Sequence, residues 1–307
     1  MRPYWRIGWV FIACIPLLWG CTTTLHHNGE SPIELTDAPF FPQTRYQCGP
    51  AALATVLVAA GADTSPEHLV DRVYLPGRQG SLQPELVATI RAFGMLPYPI
   101  EGISEIRAQL RSGHPVLVLQ NLGHPKLPRW HYAVVVGWDE ARQTVILRSG
   151  TTKRLAQRRS NFLRSWQWAG SWGVIALPPD ELPAQPDMNR YLSAAWGLES
   201  VDQRRAAGSA YRAATTRWPM EALGWLALAN NQAAMGEIAE ARQTLTEGLR
   251  TNPTSVPLMI NLADVLLESG ELEEALHWAG QAAEQTGPWQ TKAAELLDEA
   301  QARMAAP

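Results

Sequence analysis

The rhythm of apolar and polar positions divides the chain. Residues 7–19 are an almost unbroken apolar run behind Arg2 and Arg6. Residues 21–39 turn polar, with Asn28, Gly29, Ser31, Pro32 and Asp37, and read as a tether. From 49 to 60 the chain is strongly apolar again, which predicts a buried helix stopped by Gly61. Ser65-Pro66 predicts an N-cap and a proline in the first turn of a short helix reaching about residue 73. A loop with Pro76, Gly77 and Gly80 follows, then helices over 82–93 and 104–111. Valine- and leucine-rich strands are predicted at 115–120, 131–138, 143–147 and 173–177. Asp139-Glu140-Ala141-Arg142 joins two of them as a hairpin. Helices first and antiparallel strands afterwards predict an α+β domain over 40–179. Pro178, Pro179, Pro183 and Pro186 mark a stiff linker at 180–187, with a separate core expected on each side of it.

Beyond the linker a period of 34 sets in: Gly236 and Gly270, Ala241 and Ala275, Leu228 and Leu262, Ala229 and Ala263. Trp225, Leu228, Gly236, Ala241, Leu245 and Pro253 stand where the tetratricopeptide family has its signature residues, and the region resembles that family. An upstream unit runs through Tyr191, Ala207, Tyr211, Ala214 and Pro219 but lacks the glycine. The resemblance implies three stacked units over 188–304, an all-α region that binds a protein partner. The net charge of −3 excludes a partner that must be met by a basic face, such as nucleic acid.

The apolar run ends in Leu18-Trp19-Gly20-Cys21, which resembles the lipobox of bacterial lipoproteins. That resemblance implies a signal peptide over 1–20, lipidation of Cys21 and, with Thr22 rather than aspartate next, an outer-membrane anchor facing the periplasm. Cys14 would leave with the signal and Cys21 would carry lipid. Cys48 is then the sole free thiol of the mature chain, and an unpaired cysteine in an exported protein points to reactivity.

Cys48 heads the apolar helix, where unpaired N–H groups and the helix dipole favour a thiolate. Gly49 and Pro50 suit a first turn that a substrate backbone must approach. Gln43 can bring a side-chain N–H beside the Cys48 backbone N–H, a pair of donors for an oxyanion. His131, heading a strand in the second half of the domain, is the candidate base. An imidazolium there would add to the helix start and depress the Cys48 pKa. His114 and His124 stand beside prolines in loops and read as bystanders, as do His26 and His27 in the tether.

The segments from Gln43 to Ala51 and His131-Tyr132-Ala133-Val134-Val135-Val136-Gly137 resemble the bacteriocin-processing cysteine peptidases, which remove double-glycine leaders. The resemblance implies a papain-like fold over 40–179 and peptide-bond hydrolysis. It also implies Cys48 as nucleophile, His131 as general base and Gln43 in the oxyanion hole. The family's ring-orienting Asp or Asn is missing, since the corresponding stretch reads Ile146-Leu147-Arg148-Ser149-Gly150. Asp139 lies too far along the strand, so Ser149 is the substitute the hairpin offers. No phosphate-binding G-x-x-x-x-G-K-[ST] stands in the chain, so no ATP is implied, and no other cofactor or metal. Three functions stay open: a lipid-anchored thiol peptidase whose repeats bind substrate or partner, an inactive peptidase fold that scaffolds an envelope complex, and a thiol acyltransferase.

Overall fold

The computed structural model describes residues 31–43, 47–78 and 80–306. The apolar run, Cys14, Cys21 and the histidine pair of the tether lie outside them.

Helix α1 (Cys48–Ala59) is buried from Gly49 to Leu57. It stops before Gly61, whose φ of +92° suits a residue without Cβ. Helices α2 (Pro66–Val73), α3 (Gln83–Ala92) and α4 (Ile103–Arg111) follow the sequence expectation to within two residues. The strands are β1 (Ile33–Glu34), β2 (Leu96–Pro99), β3 (Val116–Asn121), β4 (Trp130–Asp139), β5 (Thr144–Ser149), β6 (Thr152–Arg158) and β7 (Gly173–Leu177), with α5 (Arg159–Gln167) before the last. All pair antiparallel in the order β2-β7-β3-β4-β5-β6, and β1 adds to β4.

Part of the expected tether belongs to this sheet. Ile33 and Glu34 pair with Trp138 and Gly137, and Leu35 N donates to Val136 O at 2.7 Å. Gly137 permits the approach, because a Cβ there would stand 2.8 Å from the Ile33 carbonyl oxygen. The buried Arg148 guanidinium then donates to the carbonyls of Leu35, Thr36 and Ala38. The tether reading is therefore corrected for 31–39: these backbone acceptors are satisfied inside the fold rather than by water.

Alternation along β4 gives the sheet two apolar faces. Tyr132, Val134 and Val136 pack with Leu53, Val56 and Leu57 of α1 and Leu86 and Ile90 of α3. Ala133 and Val135 pack on the other face with Phe162 and Trp166 of α5.

The remaining chain is helical: α6 (Met188–Glu199), α7 (Arg204–Arg217), α8 (Ala222–Ala234), α9 (Ile238–Thr251), α10 (Val256–Glu268), α11 (Leu272–Ala283) and α12 (Gln290–Ala305). The first six form three pairs. The turn inside each pair carries a positive φ at Asp202, Gly236 and Gly270, spaced by the expected period.

The expectation of two separate cores fails at the first pair. Tyr191, Leu192 and Leu198 of α6 and Ala207 and Tyr211 of α7 belong to the same apolar cluster as Tyr98, Ile175 and Leu177 of the sheet. The linker is pinned as well: Gln109 exchanges hydrogen bonds of 2.9 and 3.1 Å with the backbone of Ala184, and Asp187 N donates to the Tyr98 hydroxyl. Arg190 grips Glu105 through both terminal nitrogens, at 3.0 and 2.7 Å, and lies 5.0 Å over the Tyr98 ring. The prolines make the linker stiff, but the open face of the sheet needs cover, and α6 and α7 supply it. Helices α9 to α12, with Ala229 of α8, have a cluster of their own.

Candidate active site

Cys48 is the first residue of α1 and is partly buried against the face that holds Tyr132. Backbone N–H groups of Tyr132, Gly49 and Cys48 itself reach its sulfur and favour the thiolate, but burial outweighs them and pushes the thiol pKa up. The sequence expectation of a depressed Cys48 pKa is thereby corrected: at this helix start desolvation by burial outweighs the backbone N–H groups. Burial also pushes the His131 imidazole below its ordinary value. Both shifts favour the uncharged thiol and imidazole.

His131 lies near the start of β4, immediately before the residue whose N–H meets the Cys48 sulfur. Its Nε2 is 2.7 Å from Ser149 Oγ. The ladder pairs Val134 with Arg148, so Ser149 falls opposite Ala133, a diagonal neighbour of His131 on the same face. With Nε2 engaged by Ser149, the ring is fixed one residue before Tyr132, whose backbone N–H meets the Cys48 sulfur. Gln43 is drawn to the same end, its backbone N donating to Gly150 O at 3.0 Å. The three strand-borne or flanking candidates Gln43, His131 and Ser149 thus meet around the start of β4 and the end of β5.

Gly49 has a steric role. A Cβ there would stand 2.1 Å from Ser81 Oγ, so glycine lets the chain before α3 close on helix α1. Tyr132, Ser81 and Trp172 were not legible as site residues. The Tyr132 hydroxyl donates to Ser81 O, and its ring meets Trp172 edge-on with centroids 5.9 Å apart. Burial, then the Cys48 and Glu85 charges, push the Tyr132 phenol far up. Tyr132 could have been flagged by its position after His131; Ser81 and Trp172 carry no sequence signal.

The other candidates lie elsewhere. Asp139 caps the β4–β5 hairpin by accepting from Arg142 N and its guanidinium. His114 bonds Gln109 and faces Glu181, while His124 accepts from Lys126 N. Among the described residues no group of three or more His, Cys, Asp or Glu side chains is arranged to hold a metal, and no helix is long and apolar enough to cross a membrane.

Comparison with known proteins agrees with this layout. Residues 35–174 match the model of the Peptidase_C39 like family, and residues 232–299 match that of the tetratricopeptide repeat. Among solved structures, a putative C39-like peptidase from Bacillus anthracis is 16% identical, with a TM-score of 0.42, over 48% of this chain and 98% of that one. The peptidase domain of Streptococcus ComA, a bifunctional ABC transporter of a quorum-sensing pathway, is 20% identical, with a TM-score of 0.37, over 46% and 98%. The Yersinia enterocolitica type III secretion chaperone SycD, in complex with a peptide of the translocator YopD, is 20% identical, with a TM-score of 0.35, over 38% and 94%. No curated protein sequence matches the chain. The sheet with its α1 helix is a Peptidase_C39-like domain, and it is followed in the same chain by tetratricopeptide repeats.

Proposed function

We propose that the protein is a thiol peptidase of the cell envelope, with Cys48 as nucleophile, His131 as general base and Ser149 orienting the ring. The observation that carries this reading is the Ser149 hydroxyl on His131 Nε2, 2.7 Å away, which fixes the ring next to the residue whose N–H meets the Cys48 sulfur. Because burial favours the uncharged pair, proton transfer from Cys48 to His131 accompanies attack on the substrate carbonyl rather than preceding it. The carbonyl oxygen becomes an oxyanion held by the Cys48 backbone N–H and the Gln43 side chain. His131 then returns the proton to the leaving amine, and water hydrolyses the thioester. Helices α8 to α12 hold the substrate or a protein partner. Acylated Cys21 anchors the chain to the outer membrane on the periplasmic side; labelled palmitate should enter the wild type and not Cys21→Ser.

The same uncharged pair, with a hydroxyl where the family has an acid, favours a second reading, a peptidase fold kept for binding. Alkylation by iodoacetamide against pH reports the buried thiol, and a substrate-like chloromethylketone separates the two readings. In the wild type the rate should climb only near and above pH 8.5, the ordinary thiol value, because burial holds the proton on sulfur. A peptidyl chloromethylketone should nonetheless label Cys48 at neutral pH, at a rate cut at least tenfold by His131→Ala and less by Ser149→Ala. Labelling indifferent to His131→Ala would leave the binding reading standing.

A further inference from the structure

A cavity of about 390 Å³ lies at the joint between the sheet and the first repeat. Pro97 and Pro99 of β2, Trp172 and Val174 form its apolar walls, and Asn189 and Ser193 of α6 add polar groups. Two arginines reach it and no acidic side chain does. Arg190 is neutralised by Glu105, with Glu101 and Asp187 nearby. Arg91 is not: among the described residues no carboxylate pairs with it, and its buried Nε has no hydrogen-bond partner. An uncompensated guanidinium at the wall of an acid-free cavity gives the space a net positive charge, which disfavours the empty state and favours an anion.

The first repeat is shaped around this arginine. Arg91 crosses from α3 to α6 and lies flat on Gly197, where a Cβ would stand 2.7 Å from both Nε and Nη2. At the equivalent places of the next two units, 34 and 68 residues on, stand Asn231 and Val265. Only the unit that meets the sheet has the gap.

The cavity neighbours the candidate active site through Trp172. Val174 and Tyr132 belong to the sheet face covered by α1. Pro99, Val174, Leu117 and Val134 lie in one row across the sheet, three residues along β4 from His131. Trp172 is a wall of the cavity and touches the Tyr132 ring that backs Cys48. Across β4, β3, β7 and β2 the offset is three strand spacings, roughly 14 Å, and about 10 Å along the strand, so the separation from His131 is roughly 17 Å, or about five residues of extended peptide.

We propose that this cavity binds a carboxylate of the peptide substrate, through Arg91, about five residues from the bond that Cys48 attacks. The proposal rests on the peptidase reading for the word substrate, but the binding can be measured without turnover. Full-length Cys48→Ala protein is titrated with fluorescein-labelled octapeptides that are alanine-rich and carry one glutamate or one glutamine, each as free acid and as C-terminal amide. The anisotropy should show at least tenfold tighter binding for the glutamate amide than for the glutamine amide if a side-chain carboxylate is read. The glutamine free acid should gain instead if a chain terminus is read. Either preference should vanish in Arg91→Gln and weaken in Gly197→Ala, which keeps the charge and displaces the guanidinium, with melting temperatures confirming that both variants fold. Equal affinity for acid and amide peptides, absence of binding to all of them, or a preference that survives Arg91→Gln would overturn the proposal. In the chain that retains Cys48, Arg91→Gln should leave the iodoacetamide rate unchanged. A defect in the catalytic pair alone would leave the carboxylate preference intact.

Discussion

The first repeat and the later ones are built on one period but answer to different neighbours. In α6 and α7 the apolar residues look toward the sheet, and the joint is closed by buried aromatics and a well-covered ion pair. From α9 onward the apolar residues look at one another, and the ion pairs lie in the open. The turn residue shows the same divergence: Gly236 and Gly270 take their positive φ without strain, whereas Asp202 holds +62° with a side chain. The family model of the repeat begins at 232, after the unit that has been remade to fit the sheet. A repeat whose partner is a copy of itself keeps its signature; one whose partner is a different domain loses it.

The largest test of this contrast is where the chain can be cut. A chain ending at Asp187 strips α6 and α7 from Tyr98, Ile175 and Leu177, and should lose cooperative unfolding and solubility. A chain ending at Glu221 keeps both helices and should melt cooperatively, with Cys48 still open to alkylation. A shorter chain that folds as well as the longer one would dissolve the contrast. A smaller effect separates two arginines. Arg190→Ala should cost about 3 kcal/mol in urea unfolding, because it strands the carboxylate of Glu105, whose side chain is only 15% exposed. Arg242→Ala, which loses the more open pairs with Glu271 and Glu274, should cost less than about 1 kcal/mol. The smallest effect is at the turn. Asp202→Gly should stabilise by about 0.5 kcal/mol, and Gly236→Asp should destabilise by about 1 kcal/mol, read as shifts in the denaturant midpoint.

Where burial and periodicity agree, the fold was legible from the residues. Helix α1 and strand β4 read directly, because each is apolar along nearly its whole length. Four elements did not. β2 reads Leu96-Pro97-Tyr98-Pro99, and its prolines, tolerated on an edge, conceal a strand. β6 carries Lys153, Arg154 and Arg158 on a largely exposed edge, so it shows no apolar alternation. β1 is two residues inside a polar stretch, held largely by the backbone and by Arg148. α5 hides Phe162 and Trp166 among arginines and polar residues. In the site, chemistry-bearing types were found because few exist: one thiol, one histidine on an apolar strand, and one hydroxyl at the right register. Trp172 and Arg91 were missed because their significance lies in what α3, β7 and α6 bring together, and spacing along the chain does not carry that.

The shared core also sets an order of events. Residues 33–177 contain every strand of the sheet, yet the part of one face formed by Tyr98, Ile175 and Leu177 lacks its cover until α7 has been made, some forty residues later. At ordinary rates of synthesis that interval is about 2–8 s, long compared with the microseconds to milliseconds in which apolar surfaces collapse. During it the nascent chain offers Tyr98, Ile175 and Leu177 to any holding factor. Closure of the shared core therefore waits on the first repeat, so a ribosome stalled in the linker releases a chain with this apolar surface still exposed.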